Sequence, residues 1–475
     1  MAGVIVAAAL IGSLLLVHFS LQWWPLPHSK PLDVDYGLPL PEVAQASTVF
    51  SLTALFGAYL GIYLLLGIPA LLGLGAGTTA GLLVIRRWIG KHPSKFETYL
   101  EAVLGDKRRN AEVLAFSLAL VQCGFAASEL VILKNFVASS LALTDAQANL
   151  MAIALALIGY FYVLFGGYMA VFRTDLLQFC LVASMILVFL VILVSRHGTI
   201  NVTGMSLLSH VAPRKGYWTI PRVSAPAALS YFYHFMIAGF MGFGFLLASP
   251  DAWKRVFLVS PGNKAKHWRF AVFTAVGIAP FLLLIPIGSL VRHIPDGPFD
   301  ARTMWAGIAA RETIFIAMAS GLVASFLSAF SGALVVSVHV TLIAGRKIQR
   351  SPAELPRFHW LMVSALLMVV LLYSALQSYA NPYVLGTFLL GPYAILGGVM
   401  LGCRGAADSV PDGSLFWILM IGLILWLMYF GSHGSTSVPS TFDANAVPWG
   451  VLLGVLTAVA CKTLLILKRW YVRQH

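Results

Sequence analysis

The sequence predicts an all-α polytopic membrane protein with about thirteen transmembrane helices. Hydrophobic residues make up 59% of the 475 residues, charged residues make up only 10%, and the mean hydropathy is +0.86. An ordinary soluble domain has about 25% charged residues. Apolar windows of about 20 residues, the length that crosses a bilayer as a helix, recur along the whole chain.

The apolar windows give the expected order of the helices. Residues 2–24 lack a basic leading region and a small-residue cleavage site, so we expect a retained first helix rather than a signal peptide. The run from Thr48 to Ile89 is far too long for one crossing. We predict a hairpin at Gly67-Ile68-Pro69, because proline interrupts the helical hydrogen bonds. The windows after the first are 48–66, 69–89, 111–140, 147–171, 175–196, 226–249, 269–292, 311–345, 359–380, 382–403, 414–431 and 446–467.

The charged residues and the cysteines limit the classes of partner. The net charge of +13 does not indicate nucleic-acid binding, because Lys and Arg lie in short clusters between apolar runs. Their distribution predicts an outside N-terminus and a cytoplasmic C-terminus in the cell (inner) membrane, although residues 196–222 place basic residues on the outer side. We expect free, buried thiols, without a disulfide or a metal site, because the cysteines show no paired spacing. These cysteines are Cys123, Cys180, Cys403 and Cys461.

One segment, Tyr162–Gln178, reads YVLFGGYMAVFRTDLLQ and joins two apolar windows through a short polar turn. Gly166 and Gly167 have no Cβ and can form a hinge. Asp175 stands where the positive end of a helix favours a carboxylate. Taken alone, the segment is equally an ordinary connection between helices. The whole string resembles the G-G-x-x-A-v-x-x-T-D-x-x-Q hallmark of the sodium/solute symporter family.

Two further segments resemble the same family. Phe96–Glu101, with Gly105 and Asp106 after it, is similar to the family's E-F-L-x-x-R-F-G stretch. Pro250–Val256 is similar to its P-D-x-W-x-R. The alternative for this last segment is a capped amphipathic connector held at the membrane interface by its Trp and Arg. Members of the family generally have thirteen or more helices and an outside N-terminus, as expected here.

The resemblance implies a transporter core of the leucine-transporter type, in which ten helices form two inverted five-helix repeats. This core would cover residues 48–403, with repeat one at 48–196 and repeat two at 226–403. Residues 1–47 would form the first helix and a cytoplasmic loop. Residues 404–475 would form two C-terminal helices and a short cytoplasmic tail.

In such a core, the first helix of each repeat is broken near the midplane, where it holds substrate and ion. The two helices would be residues 48–66 and 226–249. Their glycines suit either breaks or close helix contacts, and plain packing explains each of them equally well. These glycines are Gly57, Gly61, Gly239, Gly242 and Gly244.

The resemblance also implies an ion site made of hydroxyl and carbonyl oxygens. The family pattern A-x-x-S-S on the core's eighth helix corresponds to the string from Ala324 to Ser331, where Ser328 matches the second serine and Leu327 replaces the first. We expect Ala324, Ser328, Ser331 and Asp175 to bind the ion, with sodium as the only cofactor and no other metal. Alternatively, these serines bond to carbonyls of their own helix and only pack.

The sequence indicates less about the substrate site than about the ion site. Few polar residues lie on the helices that would line it, which disfavours a sugar. Glu129 is an acid deep in an apolar run, and such a residue is costly enough to be a functional candidate. It is a proton site, a ligand for a cationic substrate, or a partner of Lys134. The candidate substrate-binding residues are Ser51, Thr53, Tyr59, Tyr63, Glu129, Tyr231, Tyr233 and His234.

Two functions remain. The first is a secondary active symporter that moves a small organic solute across the lipid bilayer, driven by sodium or by protons. The second is a transporter-like sensor or interaction protein that has lost ion coupling, as Leu327 suggests. The sequence has no H-E-x-x-H, no phosphate-binding G-x-x-x-x-G-K-S/T and no G-x-S-x-G, so we expect no enzyme and no catalytic residues. The sequence does not indicate the oligomeric state.

Overall fold

The computed structural model describes most of the expected core. The described residues are 60–91, 108–140, 143–197, 225–259, 270–272, 274–275, 323–338, 354–377, 382–403, 415–417 and 419–424, with isolated residues between 456 and 471. Within these ranges the chain is helical and contains no strand.

The helices follow one another in the order expected from the apolar windows. They are α1 (Leu60–Lys91), α2 (Arg108–Ser140), α3 (Asp145–His197), α4 (Ala225–Leu247), α5 (Pro250–Val259), α6 (Val323–Val338), α7 (Glu354–Leu376) and α8 (Pro382–Cys403).

Four helices in the described part of the chain are long and apolar enough to cross a membrane. The four stretches are Pro69–Trp88, Arg109–Ala138, Asp145–Gly167 and Phe358–Leu376. Shorter apolar helices accompany them, including Tyr231–Leu247 in α4 and all of α6. The chain is therefore an integral membrane protein of helical class, whereas the full number of thirteen helices stays a prediction.

The hairpin predicted at Gly67-Ile68-Pro69 is wrong. Helix α1 runs without interruption from Leu60 to Lys91 and contains Pro69. Proline removes one backbone hydrogen bond, but packed membrane helices tolerate this loss, because neighbouring groups satisfy the freed carbonyl. At 1.5 Å per residue, the 32 residues of α1 span about 48 Å, longer than a hydrocarbon core of about 30 Å.

Helix α1 packs extensively against α4 through facing glycines. A Cβ at Gly77 would overlap the carbonyl oxygen of Gly239, so the two backbones touch without intervening side chains. Gly244 makes a similarly close approach to Ala394 of α8. Such contacts are the usual means by which membrane helices associate, because lipid supplies no hydrophobic driving force between helices.

The predicted break in the seventh apolar window, residues 226–249, is wrong within the described helix. Helix α4 is continuous from Ala225 to Leu247, and a turn at Ala248 and Ser249 leads into α5. Of the two explanations for Gly239, Gly242 and Gly244, the structure therefore selects close helix contact. Residues 48–59, which hold most of the other predicted broken helix, lie outside the described residues.

Helix α3 contains the hinge that the sequence predicted. Gly167 has φ 61° and ψ −161°, a conformation outside the helical region and essentially restricted to glycine. The chain bends there and resumes helical structure, so residues 145–166 and 168–197 form two arms. Gly166 is helical, and the break precedes Asp175 by two helical turns rather than lying in the polar turn that we expected.

The described thiols are free, as predicted, but only one is buried. Cys123 lies inside the bundle, where its Sγ contacts the carbonyl oxygen of Ala365 on α7 at 3.9 Å. Cys180 is exposed on the second arm of α3. Its predicted burial is wrong because its face of the helix points out of the bundle, and a membrane helix need not bury its apolar residues against protein.

We expect Gly167→Ala to lower the free energy of unfolding by about 1–3 kcal/mol, because alanine at this φ and ψ is strained. Gly332→Ala in α6 is the matched control, since a Cβ there meets nothing within 4 Å. Alanine also favours a helix by about 1 kcal/mol relative to glycine. Thermal unfolding in detergent measures both variants. An equal loss in the two would contradict the assignment of the hinge.

Candidate functional site

The carboxylate of Asp175 is fully buried and joins three separate segments of the chain. Its Oδ2 atom lies 2.7 Å from Nη2 of Arg255 on α5. Its Oδ1 atom accepts a hydrogen bond of 2.9 Å from the hydroxyl of Ser328 on α6. The segments after the hinge, after α4 and on α6, which the sequence singled out separately, therefore meet at one carboxylate.

Helix α5 presents Arg255 to this carboxylate and holds it there by contacts of its own. The Nε atom of Arg255 lies 2.6 Å from Oδ2 of Asp251, one turn earlier on the helix. The hydroxyl of Ser249 caps the helix by accepting from the backbone N–H of Ala252 at 3.3 Å. The indole N–H of Trp253 donates to the carbonyl oxygen of Leu247 at 2.8 Å, which ties α5 to the end of α4.

The interpretation of α5 as a connector held at the membrane interface by its Trp and Arg is wrong. Trp253 has no exposed surface, and its ring lies 5.6 Å from that of Trp88 at the end of α1. The side chain of Arg255 is 1% exposed. Both side chains point into the bundle because their partners, Trp88 and Asp175, lie there.

The cluster of Asp175, Asp251 and Arg255 carries two carboxylates and one guanidinium, which gives a net charge of −1 when all three are ionised. Asp251 is 14% exposed, whereas Asp175 and Arg255 are enclosed. Burying charges is costly unless geometry and hydrogen bonds compensate, and removing one partner of such a pair commonly costs about 3–5 kcal/mol. A cation that reached Asp175 would therefore compete with the guanidinium of Arg255 for the same carboxylate.

The predicted ion-binding residues are only partly brought together. Ser328 reaches Asp175, but the hydroxyl of Ser331 donates to the carbonyl oxygen of Gly159 at 3.3 Å. Leu327 is 2% exposed and lies on the same side, since a Cβ on Gly159 would be 3.5 Å from its Cδ2. Ala324 is buried one turn before Ser328 and offers only its backbone. The structure thus shows two oxygen groups, Asp175 with Ser328 and Gly159 with Ser331.

These oxygen groups suit a hard monovalent cation better than a transition metal. Carboxylate, hydroxyl and carbonyl oxygens are the ligands that hard cations prefer. The part of the chain that the structure describes contains no group of three or more His, Cys, Asp or Glu residues close enough to hold a metal.

The candidate substrate residues on α4 occupy different faces. Tyr231 and His234 are half-buried, three residues apart on one side of the helix, whereas Tyr233 is 51% exposed on another. Nδ1 of His234 is buried and has no hydrogen-bond partner within the described structure. The remaining candidates are not placed: Ser51, Thr53 and Tyr59 lie outside the described residues, and only the backbone of Tyr63 is described.

Glu129 is fully buried in the middle of α2. Of the three explanations for it, the structure argues against pairing with Lys134. The ammonium of Lys134 lies 3.6 Å from Asp145 at the start of α3. Five residues on a helix also turn by about 140°, which directs Glu129 and Lys134 to different sides. A proton site and a ligand for a cationic substrate remain.

Sequence reasoning missed the partner of Asp175 and a second buried polar group on the same helix. Arg255 carried no signal beyond the P-D-x-W-x-R match, and its i to i+4 spacing from Asp251 is common on exposed helices. Gln178 was noted only as the last letter of the hallmark string. It is 2% exposed, and its amide oxygen has no hydrogen-bond partner among the described residues.

The chain shares its fold with solved transporters. It matches a Na+-coupled sialic acid symporter in a substrate-bound outward-open state over 97% of this chain and 98% of that one, with a TM-score of 0.57 and 15% identity. Weaker matches are Mhp1, a nucleobase-cation-symport-1 family transporter (TM-score 0.47, 13% identity, 92% and 95% of the chains), and a manganese transporter of Eremococcus coleocola (0.45, 13%, 99% and 95%). No family model and no curated protein sequence matches the chain.

The match to the sialic acid symporter supports the helical membrane-transporter fold, whereas the number of helices and the inverted repeat stay predictions. At 15% identity the match concerns the fold alone.

We expect Asp175→Asn to lower the free energy of unfolding by about 3 kcal/mol, because it removes one of the two carboxylates that the buried Arg255 contacts among the described residues. Asp145→Asn is the matched control. It breaks the Lys134 pair, in which the Asp145 side chain is 78% exposed, and should cost less than about 1 kcal/mol. Chemical unfolding measures both. Adding Arg255→Gln to Asp175→Asn should recover part of the loss, and strict additivity would contradict a direct ion pair.

Proposed function

We propose that this protein is a secondary active symporter that moves a small organic solute across the cell membrane, driven by sodium or by protons. The observation that carries this proposal is the buried carboxylate of Asp175, held between Arg255 and Ser328. The transporter fold supports it.

The proposal assigns Asp175 to repeat one and its partners, Arg255 and Ser328, to repeat two. One of the contacts between the two repeats therefore passes through a carboxylate whose charge is compensated by a guanidinium. A sodium ion or a proton would supply competing positive charge at Asp175. As Asp175 binds Arg255 less tightly, α5 and the second arm of α3 become free to separate.

The oxygen groups on α6 extend this ion site. Ser328 orients Asp175 through its hydroxyl, and Ser331 with the carbonyl oxygen of Gly159 forms a second pair of acceptors on the same helix–helix boundary. Leu327 places an apolar side chain where the family pattern has a hydroxyl. We infer that ion binding is weak, because losing one charge-assisted contact costs about 1.5–3 kcal/mol, or roughly one to two decades of affinity.

We propose that the substrate contacts α2 and α4 through Glu129, Tyr231 and His234. Glu129 offers a charged group that suits a proton or a cationic part of the solute. His234 offers a nitrogen that has no partner among the described residues. We retain the predicted orientation, in which α5 and the segment between α1 and α2 face the cytoplasm.

The test is uptake into proteoliposomes of labelled amino acids, carboxylates and monosaccharides, with an imposed sodium or proton gradient. We expect one solute class to accumulate only with one of the two gradients. Ser328→Ala should raise the ion concentration for half-maximal uptake by about tenfold, as expected for one lost hydrogen bond to a charged group.

Ser184→Ala is the control for this variant. Its hydroxyl donates to the carbonyl oxygen of Cys180 on the exposed side of α3, away from the described ion-site residues, so uptake should not change. Tight ion dependence that is indifferent to Ser328→Ala would place the ion site elsewhere. Saturable solute binding without accumulation under either gradient would favour the alternative, a sensor that has lost ion coupling.

A further inference from the structure

The side chain of Gln178 is a buried polar group that the proposed function does not use. It is 2% exposed, and its Oε1 atom has no hydrogen-bond partner within the described structure. Most buried polar atoms in folded proteins have a partner, so an orphan acceptor requires an explanation.

The face of α3 that carries Gln178 is mainly apolar on either side of it. On the second arm of α3, the buried stripe consists of Val171, Asp175, Gln178, Val182 and Met185, at the spacing of a helix face. Aliphatic side chains therefore precede and follow the two polar ones. An amide without a partner lowers stability relative to an apolar residue of the same shape, so packing alone does not favour glutamine here.

Gln178 lies on the same buried face of α3 as Asp175. It follows Asp175 by three residues, and residues at this spacing are neighbours on one face, with Cβ atoms about 5–6 Å apart. The two oxygens of Asp175 already meet Ser328 and Arg255. Arg255, which Asp251 holds through Nε, makes no hydrogen bond to the Gln178 oxygen.

We propose that Gln178 is a ligand of a monovalent metal cation, which its amide oxygen binds together with the carboxylate of Asp175. This inference rests on the proposed function, because it extends the ion site assigned to Asp175 and Ser328. A neutral amide oxygen adds a ligand for the ion without adding charge to the site.

The added ligand also distinguishes the metal ion from the guanidinium. Both compete for Asp175, but only the metal ion would gain the Gln178 oxygen. Carbonyl-type oxygens replace the hydration shell of a monovalent ion and lower the penalty of stripping it of water. Gln178 would thereby raise the affinity of the site for the metal ion relative to the guanidinium of Arg255.

The test measures the melting temperature of the purified full-length chain in lipid nanodiscs, titrated with sodium chloride against choline chloride at constant ionic strength. Gln178→Met keeps the length of the side chain and removes the oxygen. We expect it to melt in choline at or above the wild-type temperature, because it removes an orphan acceptor. The sodium concentration for half of the melting shift should rise about tenfold, the loss expected for one contact to an ion.

Two further variants keep the test decisive. Gln178→Glu adds a carboxylate at the same place, so the half-saturating sodium concentration should fall below the wild-type value; this variant decides the question if Gln178→Met gives no folded protein. Gln122→Met removes another buried glutamine side chain, on α2, and should leave the half-saturating concentration unchanged.

The outcomes separate this inference from the ion site on which it rests. If Asp175→Asn abolishes the sodium shift and both Gln178 variants retain the wild-type half-saturating concentration, Gln178 is not a ligand and the ion site stands. If the wild type shows no sodium shift at any concentration, the inference falls together with sodium as the driving ion. Proton-driven uptake in liposomes would then still support the proposed transporter.

Discussion

The buried ion pair between Asp175 and Arg255 is the interaction on which the arrangement of this site depends. A guanidinium cannot lose its proton in a protein, so Arg255 remains charged however deeply it is buried. It must therefore keep a carboxylate beside it, and the fold brings Asp175 to within 2.7 Å. The bend at Gly167, the turn after α4 and the burial of Trp253 all serve this approach, because each orients one of the helices that meet there.

The sequence singled out residues of this cluster but not their contacts. The helical class, the hinge at Gly167 and the choice of Asp175 as a candidate ligand followed from hydropathy and from one motif, because those signals are local in the sequence. The pairing of Asp175 with Arg255 joins residues that are 80 positions apart. No periodicity within either helix indicates this pairing. Ser328 could be placed on α6 by its motif, but its bond to Asp175 depends on how the helices cross.

The wrong predictions have a common physical cause. Pro69 was interpreted through its local effect, which is to break a helix, and the family resemblance implied a break in α4. In the structure, α1 passes through Pro69 and α4 is continuous, because the facing glycines let the two backbones pack directly. In a membrane, such direct packing of helices offsets the free-energy cost of one missing backbone hydrogen bond. Tertiary contact therefore decides whether a helix-breaking residue ends a helix.

The permanence of the charge on Arg255 limits how the site can change state. Because the guanidinium cannot be neutralised, Asp175 can be released only if its own charge is neutralised or if another cation takes the place of Arg255. Asp251 remains bound to Nε of Arg255 in either event and keeps the guanidinium paired on α5. Arg255 would therefore keep a carboxylate beside it, and separating α3 from α5 would mainly leave Asp175 without its counter-charge. In the proposed symporter, an ion that binds Asp175 would remove this cost, so ion occupancy and helix separation would form a single equilibrium.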